Sequence, residues 1–175
     1  MSEPLKNIIR FILFILVQAL VLNQMPPLHR FITPYLYLLF IFWLPFNMGR
    51  VGLLITGFLL GLVLDFFTKT PGLHASSVLL VAYIRPFLIT LMVPKDTREL
   101  AVGSPSMQSM GASSYFLFAA LLTFFHHVWL VFLEWMTFGN FIYFLGKVFF
   151  STLVSLLLML ITELLFRPIK SSKRR

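Results

Sequence analysis

Residues 57–72, GFLLGLVLDFFTKTPG, form an apolar run that ends in one carboxylate and then a turn. Gly57, Gly61 and Asp65 recur every fourth position, which aligns them on one face of a helix. The two glycines clear that face of side chains, so a second helix can approach it backbone to backbone, as small-xxx-small motifs allow in lipid. Asp65 closes the stripe inside an apolar run, where an unpaired charge is costly. The run breaks at Thr68-Lys69-Thr70-Pro71-Gly72, and a new apolar segment starts. A smooth face closed by one acid predicts a helix built to hold a partner helix.

The rest of the chain is of the same kind. Its 175 residues are 59% hydrophobic and 11% charged, against about 45–50% and about 25% in an average soluble domain. Mean hydropathy is +0.92. Several apolar runs approach the ~20 residues that cross a bilayer as helix. They do not alternate as the strands of a transmembrane barrel would. The class is therefore a polytopic α-helical membrane protein, read as one integral domain over residues 1–175. Without cysteine, disulfides, thiolate metal sites and cysteine nucleophiles are excluded. The net charge of +8 comes from basic residues flanking the apolar runs, as anchors do, and no aromatic-interleaved basic patch points to nucleic acid.

Six spans are expected. The first covers residues 8–22, with Gln18 its strongly polar member, and is read as a retained helix because no small-x-small cleavage pattern follows it. The second, residues 31–46, is bracketed by Pro34 and Pro45 and is too short for a full helical crossing. It is read as a short crossing, with a re-entrant segment as the alternative. The third and fourth cover 51–67 and 73–93, with a kink expected at Arg85-Pro86. Residues 94–112 form a polar loop, the fifth and sixth spans cover 113–137 and 141–166, and a basic tail occupies 167–175. With six spans, ten basic residues share a side with both termini and two, Arg30 and Lys69, lie opposite, which places both termini in the cytoplasm.

The intramembrane polar residues carry the remaining expectations. Asp65 either ends its helix at the interface or contacts a partner helix or a basic side chain. Arg85 either snorkels or pairs internally, with Glu163, near the same side in the sixth span, the expected intrachain acid. Glu134 and Lys147 flank the turn at Gly139-Asn140 and are expected to pair across that hairpin, the alternative being contact with another protein. His126 and His127 are adjacent, so they point about 100° apart on a helix and are expected to be hydrogen-bonded packing residues. No phosphate loop, GxSxG or nucleophile–base pair is present, so no catalytic residue, metal or cofactor is assigned.

Residues 52–87, GLLITGFLLGLVLDFFTKTPGLHASSVLLVAYIRPF, resemble the signature region of the MreD family of rod shape-determining membrane proteins. The matching features are the glycine-spaced run to Asp65, the turn with Gly72, the small residues Ala75-Ser76-Ser77 and Arg85-Pro86; PYLYLLFIFWLP at 34–45 and the overall length also fit. The resemblance implies a non-catalytic subunit of the bacterial cytoplasmic membrane that guides lateral peptidoglycan synthesis. It implies MreC as direct partner and, through it, RodA, a class B penicillin-binding protein and MreB filaments. It also implies a compact six-helix bundle, since the family has been likened in fold to the substrate-binding subunits of energy-coupling-factor transporters. Two functions follow: a scaffold that docks a partner helix on Gly57, Gly61 and Asp65, or a small-molecule-binding transporter subunit, with Asp65, Glu134 and Lys147 available to line a cavity.

Overall fold

A computed structural model describes residues 3–25, 32–93, 103–134 and 140–167. Those residues are helical throughout their regular structure. The elements are α1 (Glu3–Leu16), α2 (Leu38–Phe42), α3 (Arg50–Thr68), α4 (Leu73–Met92), α5 (Met107–Met110), α6 (Ala112–Glu134) and α7 (Phe141–Phe166). A π-helical turn, Val17–Val21, and a 3₁₀ turn, Leu22–Gln24, extend α1. Among the described residues five helices are long and apolar enough to cross a membrane: Pro4–Gln24, Arg50–Thr68, Leu73–Met92, Ala112–Glu134 and Phe141–Phe166. Residues 94–102 of the expected loop and 168–175 of the tail lie outside the described residues, as does residue 139 of the hairpin turn.

Local sequence explains where the helices stop. α3 ends at Lys69, which takes the left-handed conformation (φ 58°), and α4 starts after Gly72, whose φ of 85° favours glycine. Asn140 caps α7 by accepting from the Tyr143 amide at 3.2 Å. Ser106 and Ser109 make a reciprocal capping box that starts α5. α4 runs through Pro86 as one helix.

The second segment departs from a helical crossing. Between the two prolines only five residues, α2, are helical, and residues 32–36 are irregular. Of the six expected spans, five are long helices, and the second, read as a short crossing or a re-entrant segment, is mostly irregular. That segment nevertheless returns the chain along the bundle. Pro4 and Asn7 of α1 border a groove with Asn47 and Met48, just before α3. At the other end Ala19 and Leu22 border a cavity with Phe67 and Thr68, where α3 finishes. Thus α1 and α3 run the same way, and residues 32–48 lead back between them.

The segment lies in the core of the molecule. Tyr37 through Leu44 are all buried. α3 packs most closely on α4, α4 on α6, and α6 on α7. Large apolar side chains such as Phe66, Ile142 and Leu165 point outward, as lipid-facing residues do.

Candidate functional site

The glycine stripe is occupied, and its partner is α4 of the same chain. A Cβ on Gly61 would sit 2.6 Å from both the Ala75 nitrogen and the His74 carbonyl oxygen, so the two backbones are in direct contact. At Gly57 the added Cβ would meet Ala82 Cβ at 3.0 Å and Val78 at 3.5 Å. Asp65 completes the contact. Its Oδ1 accepts from the His74 amide at 2.8 Å and its Oδ2 from the Gly72 and Ala75 amides at 3.0 Å each. Thr70 adds a hydroxyl at 3.2 Å. A carboxylate facing the first turn of a helix satisfies its orphan N–H groups and the positive end of its dipole. The expectation that this face docks another protein is therefore corrected: α4 covers it, and backbone amides rather than a basic side chain hold the acid. Ser76 and Ser77 turn their hydroxyls back on the Leu73 carbonyl at 3.2 and 2.8 Å.

The polar residues deeper in the bundle serve the irregular segment. In a hydrocarbon core, non-helical backbone persists only where protein groups satisfy it. Gln18, presented by the π-helical turn, accepts from the Leu36 amide at 2.8 Å and donates to the Pro34 carbonyl at 3.1 Å. Ser151 and Ser155 of α7 accept from the Thr33 and Tyr35 amides at 3.0 and 2.9 Å. Arg85 donates to the carbonyl of Leu44 and, at 3.5 Å, to that of Pro45. Glu163 receives Trp43 Nε1 at 2.5 Å, the Tyr115 hydroxyl at 3.0 Å and the Met107 amide at 3.4 Å.

Those last contacts correct the pairing expected of Arg85 and Glu163. Arg85 is 1% exposed and does not snorkel, and each of the two charges is spent on the segment rather than on the other. They bracket Trp43-Leu44-Pro45 from two sides. The guanidinium groups of Arg10 and Arg167 lie 5.4 and 4.6 Å from the centre of the Trp43 ring. Lys147 and Glu134 do meet, Nζ to Oε2 at 2.6 Å, across the α6–α7 hairpin.

The histidines form a packed chain with the tyrosines of the segment. The Tyr37 hydroxyl lies 2.8 Å from His126 Nε2 and 3.3 Å from His74 Nδ1. His127 Nδ1 lies 2.7 Å from the Thr123 carbonyl oxygen, which can only accept, so that nitrogen carries the proton. Its Nε2 then accepts from Ser155, whose oxygen already accepts from Tyr35. Among the described residues no three His, Asp or Glu side chains are grouped to hold a metal.

Above this chain, at the end where α3 and α6 finish, a cavity of about 520 Å³ is lined by Asn23, Tyr35, Thr70, His74 and Glu134 among others. Asp65 and Lys147 do not line it. Sequence reasoning missed Tyr35, Tyr37, Trp43, His74, Ser151 and Ser155. One signal was available, since Lys147, Ser151, Ser155, Met159 and Glu163 recur every fourth residue and all are buried on one face of α7.

Against known proteins the chain has no match: no family model, no curated protein and no solved structure.

Proposed function

We propose that this chain is a non-catalytic scaffold of the bacterial cytoplasmic membrane, of the MreD type, acting in the complex that directs lateral peptidoglycan synthesis. The observation that carries this reading is the α3–α4 hairpin. Gly57, Gly61, Asp65 and Gly72, on which the resemblance depends, each shape that one element, and none is spent on a reacting group. The residues held in common are thus those that build a rigid membrane body. Because α4 occupies the glycine stripe, docking of MreC falls to an outward face of the bundle. RodA, the class B penicillin-binding protein and MreB are reached through that partner. In this reading residues 32–48 make the sixth crossing and both termini are cytoplasmic, following the basic residues.

A second reading is favoured by the cavity of about 520 Å³ at the opposite end, large enough for a small ligand and lined by polar and aromatic groups. It makes the chain the ligand-binding membrane subunit of a transporter, the role suggested by the likeness of the MreD family to energy-coupling-factor subunits. One experiment separates the two. The protein is purified by affinity from its native membrane in mild detergent, and co-purifying proteins and small molecules are identified. Recovery of MreC with wall-synthesis enzymes is the result expected of the scaffold. Recovery of an ATPase module with a bound metabolite overturns it in favour of transport.

A further inference from the structure

Two neighbouring cavities lie at the end of the α3–α4 pair where α3 begins. The smaller, about 250 Å³, is lined by Asn47, Met48, Arg50, Arg85, Pro86 and Thr90 among others. The larger, about 470 Å³, continues along the outside of the pair over Leu54, Ala82, Tyr83 and Phe87. Arg50, Pro86 and Thr90 line both, so the two form one groove with a basic head and an apolar stem.

The head is built for an anion. Arg85 is 1% exposed, and its Nε has no hydrogen-bond partner. The carbonyls of Leu44 and Pro45 occupy its Nη2 only. Arg50 is the first residue of α3, and the Gly49 cap offers no side chain to that helix's N–H groups. The start of a nineteen-residue helix, which no side chain caps, thus borders at Arg50 the same space that Arg85 lines. Among the described residues no carboxylate lines either cavity. A buried, uncompensated guanidinium is costly unless an anion completes it.

The stem says which anion. Tyr83 and Phe87 are largely exposed and Leu54 half-buried, on a helix face turned to lipid. A free phosphate leaves that stem uncovered, whereas an acyl chain fills it. We infer that the groove between the start of α3 and the Pro86 turn of α4 is a binding site for an anionic phospholipid. Its phosphate sits between Arg50 and Arg85, and one acyl chain lies along Leu54, Tyr83 and Phe87. This needs only that the helices span a membrane and is independent of which partner or ligand the protein serves. Basic pockets between helices at the cytoplasmic surface hold lipid head groups by the same physics.

Native mass spectrometry of the purified full chain tests it, with dioleoyl phosphatidylglycerol or dioleoyl phosphatidylcholine added in equal amounts. The wild type is expected to retain phosphatidylglycerol preferentially. Arg50→Glu should lower that retention by about five- to tenfold, and Arg50→Gln by less. Thr90→Trp, which fills the junction of the two cavities without changing charge, should lower it comparably. Lys69→Glu, the same charge change at the other end of α3, should leave it unaltered. Equal losses in Arg50→Glu and Lys69→Glu would reduce the effect to general surface charge and overturn the site. Full displacement of the lipid by millimolar inorganic phosphate, or no effect of Thr90→Trp, would overturn the role of the acyl stem. Arg85 is left unaltered because it also holds the Leu44 and Pro45 carbonyls.

Discussion

The Asp65 carboxylate accepts the His74 amide at 2.8 Å, so the last turn of one helix caps the first turn of the next. Replacing it with Leu strands the Gly72, His74 and Ala75 amides at once. An unsatisfied buried donor costs about 1–3 kcal/mol. Asp65→Leu should therefore destabilise the protein by at least ~2 kcal/mol, and Asp65→Asn, which keeps one acceptor oxygen, by about 1 kcal/mol. Denaturant unfolding in detergent micelles measures both, and equal stability of Asp65→Leu and wild type would refute the capping role. Loss of a partner protein on Asp65→Leu would report a damaged hairpin, not a docking face.

Gly61 and Gly57 should differ sharply. A methyl at Gly61 meets backbone atoms at 2.6 Å, which cannot rotate away, whereas at Gly57 it meets the Ala82 methyl at 3.0 Å. Gly61→Ala is expected to cost about 3 kcal/mol and Gly57→Ala less than about 1 kcal/mol. The reverse order in thermal unfolding would show that the α3–α4 approach is misdescribed.

Ser155→Ala removes the acceptor of the buried Tyr35 amide and the donor to His127. It should cost about 1–3 kcal/mol and raise hydrogen exchange at Tyr35. Ser151→Ala should cost less, because the Thr33 amide it serves is only partly buried. An unchanged exchange rate at Tyr35 would place that amide on another acceptor.

Glu163→Ala deprives Trp43 Nε1 and the Tyr115 hydroxyl of their common acceptor. With Trp129 and Trp135 replaced by Phe, Trp43 emission should shift and unfolding should come at least ~2 kcal/mol earlier. Glu163→Gln should recover part of both. Emission identical to that of the parent would mean that Glu163 does not hold the indole.

The Lys147–Glu134 pair should matter little by comparison. The Glu134 side chain is 40% exposed, and pairs of that kind contribute about 0–1 kcal/mol. A double-mutant cycle between Glu134→Gln and Lys147→Met should give a coupling below about 1 kcal/mol, and a larger value would mark a dry, structural pair.

Much of this architecture was legible because helix-length apolar runs and turn residues are local signals. The glycine–glycine–aspartate stripe suits a close helix neighbour, a place that α4 takes. It could not say which, since a helix in the same chain and one from another protein need the same small residues. The pair expected between Arg85 and Glu163 failed for a related reason. Opposite charges in lipid suggest one another, but a carbonyl or an indole N–H can take the partner's place for part of each group, and those groups are invisible until the backbone is placed. The segment bracketed by Pro34 and Pro45 was the hardest part. Its irregular backbone depends on Gln18, Ser151 and Ser155, and nothing at residues 32–36 points to them.

That dependence sets an order of assembly. Ser155 accepts from Tyr35 across 120 residues, and Glu163 receives Trp43 across another 120. As the chain leaves the ribosome, the stretch between α1 and α3 emerges long before the helix that satisfies it. Its five helical residues are too few to enter hydrocarbon as an independent hairpin arm. It must wait in the insertion machinery or at the water interface until α7 has been made. Nascent chains arrested before α7 should thus leave residues 32–44 open to aqueous labelling, and the last helix synthesised locks that irregular segment into place.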